Sequence, residues 1–482
     1  MFAIGLDIGT SSLKILVLNE KQQILFENSY SYEYEEPHEG YREINPNVWS
    51  SAVMKGLSEA VHMVDDKEHI VIGVTGQMHT TVFLDKDGIP VYPAIMWNDL
   101  RMAHNIPQLK EELSIYPETK YISKIISSGS PAANILWLSN KYPELFRKVC
   151  HILTPYDYIV YFLTGKYSQD YCDASTSSLY DIQTKSWSTI MMDKCKVSKK
   201  ILGNVMPSCH IVGDVLPRIC EILKLKHSPE VIVGTGDNPA NAVSLHLIEQ
   251  KEPVISLGTS GVVLIAKKDG DFEGKGKNVL FSMDGKEIVN IVQGTVRSAG
   301  GAQKWWVENG IQTSDFGVDQ EKILRNNLGN NGVLFFPHIT GDKLIYQDLD
   351  IRGAFIGLSA STQRKDMTQA VMEGVGYALK EVIDNMGLTF WPQKIRINGG
   401  GTKSKIWMTI LASILNVQLE VVSANASPCF GICLLALQSK IDLEYKDEKS
   451  TSSYYPDIEL VKKYEEGYQK YKKVYKALKQ IA

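Results

Sequence analysis

The chain contains no uninterrupted apolar run of about 18 residues, so no segment of it is written to cross a bilayer as a helix. Its first residues, MFAIGLDIGT, lack the basic stretch of a secretory leader and meet Asp7 early. Both absences predict a cytoplasmic protein. Seven cysteines, at 150, 172, 195, 209, 220, 429 and 433, show no Cys-x-x-Cys spacing, and their odd number leaves at least one outside any pairing. They are expected as reduced structural thiols; Cys429 and Cys433 lack the neighbouring histidine or third cysteine that a zinc site needs. The 10 histidines form no His-Glu-x-x-His pattern, and no G-x-x-x-x-G-K-[ST] loop occurs, which disfavours a zincin and a P-loop enzyme. An excess of charge is missing too. Lys+Arg 51 against Asp+Glu 55 leaves a net charge of −4, so no global basic field recommends nucleic acid or an anionic membrane. A small molecule is the expected partner.

What is present is a repeat. Gly-Thr-Ser occurs at Gly9 to Ser11 in LDIGTSSLKILVL and at Gly258 to Ser260 in ISLGTSGVVLIA, each time ending one apolar run and opening another. One such tripeptide is an ordinary hairpin connection. Two in the same strand-turn-strand context, about half a chain apart, indicate a duplication. Glycine lets the backbone turn sharply and approach a ligand, while the hydroxyls and the turn's N–H groups can donate to phosphate oxygens. Gly9, Thr10, Ser11 and Lys14, with Gly258, Thr259 and Ser260, are therefore a candidate clamp for the phosphates of ATP. Only the first copy carries a carboxylate, Asp7, where the second has Ser256. Asp7 is the candidate for Mg²⁺, held directly or through water, although Asp before a glycine turn is also a common turn former.

A chain of 482 residues, 44% apolar and 22% charged, is expected to form two large domains, here 1–244 and 245–482. Residues 1 to 34 read as three strands, followed by a helix in VWSSAVMKGLSEAVHMV and a strand in HIVIGVTGQ. That order, β-β-β-α-β, is the order of a ribonuclease H-like half, so the expected fold is α/β, two such domains with a cleft between them. The stretch from 120 to 230 reads as mostly helical. No low-complexity tract separates the halves, and close packing about a hinge is expected. At the end, Val461, Tyr464, Tyr468, Tyr471, Tyr475 and Leu478 share one helical stripe among lysines. A basic aromatic face for nucleic acid is one reading; an amphipathic helix docked on its own domain is the expected one. Nothing in the sequence argues a symmetric surface, and a homodimer stays open.

Asp237 ends the apolar run of VIVGTGDN in a glycine-flanked loop, a placement that can expose one carboxylate as a general base and equally one that can cap the helix in PANAVSLHL. Gln77, Met78, His79, Trp97, Asn98, Asp99 and Arg101 lie at the ends of apolar runs in the first half. Their amide, imidazole, carboxylate and aromatic groups suit a polyhydroxylated ligand. Gly399, Gly400, Gly401 and Ser404 in NGGGTKS, and Gly300 with Gly301 in VRSAGGAQKWW, permit close backbone approach to the adenosine end of a nucleotide.

With DIGTSSLK, SLGTSG, NGGGTKSKIW and GAFIGLSASTQRKDMTQAVMEG in view, the chain resembles the FGGY carbohydrate kinases over nearly its whole length, within the superfamily that includes actin and the large heat-shock chaperones. GQMH at Gly76 to His79, WND at Trp97 to Asp99 and GDN at Gly236 to Asn238 are most similar to the xylulose-phosphorylating branch of that family. The resemblance implies transfer of the ATP γ-phosphate to the terminal hydroxyl of a ketopentose, with Met78, His79 and Asn238 on the substrate and Asp237 accepting the proton. Two positions depart from the pattern. Thr80 stands where that branch usually has Gly, which places the change at the pocket entrance, and Asn134 stands where the first family signature has Lys. Gluconate, ribulose or another keto sugar is the alternative acceptor. An ATP-driven switch of the actin or chaperone kind is the rival from another class.

Overall fold

A computed structural model describes residues 1–64, 68–330, 332–389, 391–422, 426–444 and 452–481. The meander expected at the start is present: β1 (Phe2–Ile8), β2 (Ser12–Asn19) and β3 (Ile24–Ser31) pair antiparallel in succession. Helix α1 (Asn47–Ala60) then crosses over to β4 (Ile70–Gly76), which runs parallel to β1 because a helix, and not a tight turn, connects them. β5 (Glu230–Ile232) lies parallel to β4 on its far side, and α2 (Asp237–Ser244) leaves that edge. The strand order is β5-β4-β1-β2-β3, with Ile211–Asp214 antiparallel on the outer side of β5.

The second half repeats this plan. β6 (Val254–Leu257), β7 (Gly261–Lys268), β8 (Lys277–Phe281) and β9 (Val289–Val296) precede α3 (Gly300–Trp305), α4 (Arg364–Asn385) and β10 (Lys394–Asn398). α5 (Lys405–Leu415) and β11 (Gln418–Val421) complete it, giving the order β9-β7-β6-β10-β11 with β8 added outside β9. Each Gly-Thr-Ser turn thus joins the first and second strands of an equivalent sheet.

Between β4 and β5 the helices expected from 120 onward occur at Pro131–Lys141, Pro155–Thr164 and Pro217–Leu223. Strands of two to four residues interrupt them, at His151–Leu153, Gln169–Asp170, Val205–Met206 and Ile211–Asp214. Such strands are too short for alternation to show in the sequence.

The halves share a core. α6 (Pro428–Gln438) belongs to the second half but lies on the first sheet, its Ile432 and Leu435 buried with Ala3, Leu16 and Val71. Glycine makes the approach possible. A Cβ on Gly5 would stand 2.6 Å from the Cys429 carbonyl oxygen, and one on Gly73 would stand 2.7 Å from that of Ile432. α6 crosses α2 at Gly431, whose added Cβ would meet the Ala240 oxygen at 1.8 Å. Cys429 and Cys433 face the backbone of β1 and β2, with Sγ 3.3 Å from Gly5 O and 3.6 Å from Leu16 O, and all seven cysteines are free thiols.

Helix α7 (Ile458–Leu478) docks on its own half. Tyr464, Tyr468 and Tyr471 are buried, with Leu460 and Val474 completing the inward stripe in place of Val461. The Tyr464 hydroxyl donates to Glu373 Oε1 at 3.0 Å and that of Tyr468 to Asp384 Oδ2 at 2.6 Å. The aromatic face is therefore interior. Among the described residues no helix is long and apolar enough to cross a membrane.

Candidate active site

The first phosphate turn is closed by the Gly9 N–H, which donates to Ser12 O at 3.0 Å. Its inward carbonyl, Gly9 O, accepts from the Tyr32 hydroxyl at 2.6 Å and from Gln77 Nε2 at 3.2 Å. Ser11 and the side chain of Lys14 are left exposed at the turn. Gln77, expected from the sequence at the sugar, braces the turn through that bond, and its other side-chain atom, Oε1, accepts from Thr80 Oγ1 at 3.1 Å. Thr80 Oγ1 in turn accepts the Trp97 N–H at 3.2 Å. Being fully buried, Thr80 ties two loops together and does not line an entrance. Asn134 does similar work below, donating from Nδ2 to Thr81 Oγ1 at 2.9 Å.

Asp99 and Arg101, also expected at the sugar, are committed to one another. Both side chains are fully buried; Arg101 donates to Asp99 through Nε and Nη2 and to Glu43 Oε1 at 2.8 Å, and its guanidinium lies 4.3 Å from the ring centres of both Tyr41 and Trp137. Asp99 also accepts the backbone N–H groups of Arg42 and Arg101. This network holds the loop that carries Trp97 and Asn98. A buried charge is stable only when paired and hydrogen-bonded, and Asp99 and Glu43 supply that pairing through Nε and Nη2. Arg101 Nη1 and Asn98 Oδ1 are buried without a partner among the described residues.

Two carboxylates meet at the ends of the first sheet. Asp7, near the end of β1, sits in register with Lys14 on β2 and Thr75 on β4. Burial pushes its pKa up to about 6 against the pull of Lys14. Asp237 is the first residue of α2, whose N-cap position is Gly236, and backbone N–H groups at the helix start, Asn238 foremost, favour its charged form. Burial and then the Asp7 charge nevertheless push its pKa up to about 7. Met78 packs beside it, with Sδ 3.5 Å from Asn238 Nδ2. His79 adopts a left-handed backbone, φ 71°, a conformation that non-glycine residues keep mainly where surroundings impose it, often at functional sites.

The second half supplies two side chains that the sequence reading missed. Lys277 and Gln293 face each other across β8 and β9. The Lys277 ammonium hydrogen-bonds His79 Nε2, and Gln293 Oε1 accepts from Asn238 Nδ2 at 3.0 Å. Gln293 had left a trace, a polar residue inside the largely apolar run VNIVQGTV; Lys277 had left none.

Around the second turn the expected glycines do converge. Gly300 and Gly301 donate their N–H groups to Gly258 O at 2.9 Å and Thr259 O at 2.8 Å, and a Cβ on Gly300 would stand 2.4 Å from Gly258 O. Gly399, at φ 103°, passes the end of β6, where an added Cβ would meet Leu257 O at 2.5 Å, and Gly401 packs on the Leu257 side chain. Ser404 is not part of this surface. It caps α5, accepting from the Trp407 N–H and donating to Gln320 Oε1 at 2.6 Å, so its hydroxyl is used within the fold.

Residues 2–244 match the N-terminal domain of the FGGY family of carbohydrate kinases, and residues 254–439 match its C-terminal domain. A xylulose kinase of Lactococcus lactis subsp. lactis is 32% identical over 501 residues, which cover 100% of this chain and 98% of that one. One from Staphylococcus xylosus is 28% identical over 485 residues, 98% of this chain and 99% of its own. The crystal structure of a xylulose kinase from Brucella ovis has a TM-score of 0.89 at 26% identity, covering 100% of both chains. Two domain matches in chain order, laid over two halves with one strand order and one repeated turn, show that the chain belongs to the FGGY family of carbohydrate kinases, with the two-domain actin-like ATPase fold.

Proposed function

We propose that the chain transfers the γ-phosphoryl group of ATP to the terminal hydroxyl of an open-chain ketopentose, D-xylulose first, to give D-xylulose 5-phosphate. The observation that carries this reading is Asp237: a carboxyl at a helix start whose pKa burial raises, beside Met78 and Asn238, within electrostatic reach of Asp7. The acceptor hydroxyl donates to Asp237. As its oxygen bonds to Pγ and the Pγ–O bond to ADP breaks, the proton passes to the carboxylate; a pKa raised to about 7 suits a base working near neutrality. The second turn, Gly300, Gly301 and Gly399 to Gly401 hold the nucleotide, and the first turn with Lys14 meets the transferred phosphate.

The residues present fit Mg²⁺. Among the described residues no group of three or more His, Cys, Asp or Glu side chains gathers as a cage, and Mg²⁺ commonly takes one or two carboxylates while phosphates and water supply the rest. Asp7 would hold it, and the bound ion would neutralise phosphate charge. The Asp7 charge disfavours ionisation of Asp237, the situation a nearby cation relieves.

A nucleotide-driven switch without an acceptor does not need Met78, Asn238 and His79 gathered about Asp237. We place the protein in the cytoplasm, where ATP is and where thiols such as its seven free cysteines stay reduced. Coupled ADP release with D-xylulose, D-ribulose, L-ribulose, gluconate and glycerol tests the reading. Acceptor-dependent ADP formation supports it, and none above the water background overturns it.

A further inference from the structure

β8 belongs to the second sheet yet is seated on the first half. Leu280 N–H donates to Ser175 Oγ at 3.0 Å, the Tyr121 hydroxyl donates to Asn278 O at 3.2 Å, and just beyond the strand Ser208 N–H donates to Ser282 O at 2.9 Å. Lys277, at the start of this strand, is thereby fixed against His79, and Gln293 is fixed beside it by register. A pocket wall built on two paired strands and clamped from the other side is organised before any ligand arrives.

The chemistry of that wall is one-sided. An ammonium has three donors and no acceptor. His79 is held neutral by burial and by the Lys277 charge, so its Nε2 accepts from the ammonium, and its Nδ1 is buried without a hydrogen-bond partner among the described residues. His79 thus positions Lys277 and has no Nε2 proton to offer a sugar. The two remaining N–H groups of Lys277 make no other hydrogen bond among the described residues. Gln293 Oε1 is taken by Asn238, which leaves its amide N–H groups as donors as well. Burial lowers the Lys277 pKa from the ordinary lysine value, and the acidic groups that face it and favour its charged form are Cys172, Asp237 and Asp173. Burial and the Asp170 charge push Asp173 up to about 8, and burial pushes the Cys172 thiol well up, so Asp237 is the one neighbour that carries appreciable negative charge near neutrality.

Resting on the sugar-kinase reading above, we propose that Lys277 and Gln293 are specificity-determining residues, a donor-only wall that grips an sp² oxygen of the acceptor: the carbonyl of an open-chain ketose or the carboxylate of an aldonic acid. A hydroxyl at that point would have to place its own hydrogen against donors; a carbonyl or carboxylate oxygen has none to place. Sites built this way reject the analogue that leaves their polar groups unmatched.

The test measures kcat and KM with D-xylulose, D-ribulose, gluconate, xylitol and D-arabitol for the intact protein, Lys277→Met and Gln293→Leu, with ADP affinity and thermal midpoint as fold controls. The unaltered protein is expected to prefer keto or acid acceptors over alditols by about 100-fold or more in kcat/KM. Lys277→Met should shrink that preference about 10- to 100-fold, mostly through KM, with ADP affinity unchanged. A preference for gluconate identifies the carboxylate as the oxygen gripped; a preference for a ketose identifies the carbonyl. Where Lys277→Met fails to fold, Gln293→Leu carries the same expectation at about 10-fold. Equal loss on alditols and ketoses, or unchanged selectivity in a folded variant, overturns the inference alone. An unaltered protein inactive on every acceptor overturns the kinase reading beneath it.

Discussion

The indole N–H of Trp97 donates to the Thr10 hydroxyl at 3.1 Å, although the Trp97 ring is 47% exposed. The bond joins the sugar-side loop to the first phosphate turn. Thr80 fixes the same loop from beneath by accepting the Trp97 backbone N–H, so the indole is held at both ends of the residue. On the proposed reading, sugar occupancy and the shape of the turn that meets phosphate are therefore mechanically connected.

Trp97→Phe keeps an aromatic face and removes this donor. One neutral hydrogen bond is worth about 0.5–1.5 kcal/mol, so the acceptor KM should rise roughly 2- to 10-fold, with ADP affinity and the thermal midpoint little changed. Intrinsic fluorescence that responds to sugar in the unaltered protein should lose that response in the variant. A response that survives intact would mean another tryptophan reports on the pocket.

Asp237→Asn retains volume and polarity and removes the proton acceptor. General-base removal typically costs about 10²–10⁴ in rate, and the loss should appear in kcat while ADP binding by calorimetry stays near the original value. Turnover within threefold of the original would show that positioning alone carries the reaction and that the base assignment is wrong.

Because burial and Asp7 push the Asp237 carboxyl up to about 7, the group is largely protonated at pH 6 and largely ionised at pH 8. A base must be ionised, so kcat/KM is expected to fall about tenfold per pH unit below an inflection near 7. In Mg²⁺-free protein, carboxyl NMR of Asp7→Asn should find Asp237 shifted down toward the ordinary carboxylate range, since a like charge has been removed. An unmoved titration would separate the two carboxylates electrostatically.

The duplication was legible because a turn needs particular residues: Gly9 and Gly258 sit where the chain reverses between strands, and the apolar runs flanking them are the strands. The terminal helix was legible for a similar reason, since its period of 3.6 is carried by large tyrosines that must be covered. Residues near in sequence to real pocket residues were harder to sort. Asp99 and Arg101 read as ligand groups beside Trp97, yet Glu43, Tyr41 and Trp137, distant in sequence, enclose the pair. Lys277 was invisible for the converse reason: its contact with His79 depends on β8 crossing to the other half, and no local pattern encodes where an edge strand docks.

Glu373 gives a test of stability outside the pocket. Its Oε1 accepts from Gly329 N–H, Gln369 Nε2 and Tyr464 Oη at 2.8–3.0 Å, and burial still pushes its pKa up to about 7. A carboxyl raised in the folded state, from about 4.3 when unfolded, costs nothing below pH 4 and its full amount above pH 7. Glu373→Gln keeps an oxygen for the same three donors without the charge. The variant should gain stability over the original by up to about 3 kcal/mol at pH 8 and by little at pH 4.5, read from urea midpoints. A constant difference across that range would mean the carboxyl titrates normally.

Gly300 and Gly400 separate fold from ligand on the nucleotide side. At Gly300 a methyl group would press on the Gly258 carbonyl at 2.4 Å, so Gly300→Ala must displace the second turn itself; at Gly400 a methyl group meets nothing within 4 Å. Should the glycine loop lie against adenosine, Gly400→Ala will raise the Kd for ADP about tenfold with an unchanged thermal midpoint, because the added carbon collides only with the ligand. Gly300→Ala will weaken ADP and lower the midpoint together. Acceptor KM should move less than threefold in Gly400→Ala, since a methyl group there touches no side chain of the proposed acceptor pocket. An unaltered ADP Kd in Gly400→Ala would remove that loop from the nucleotide site while leaving the second turn in place.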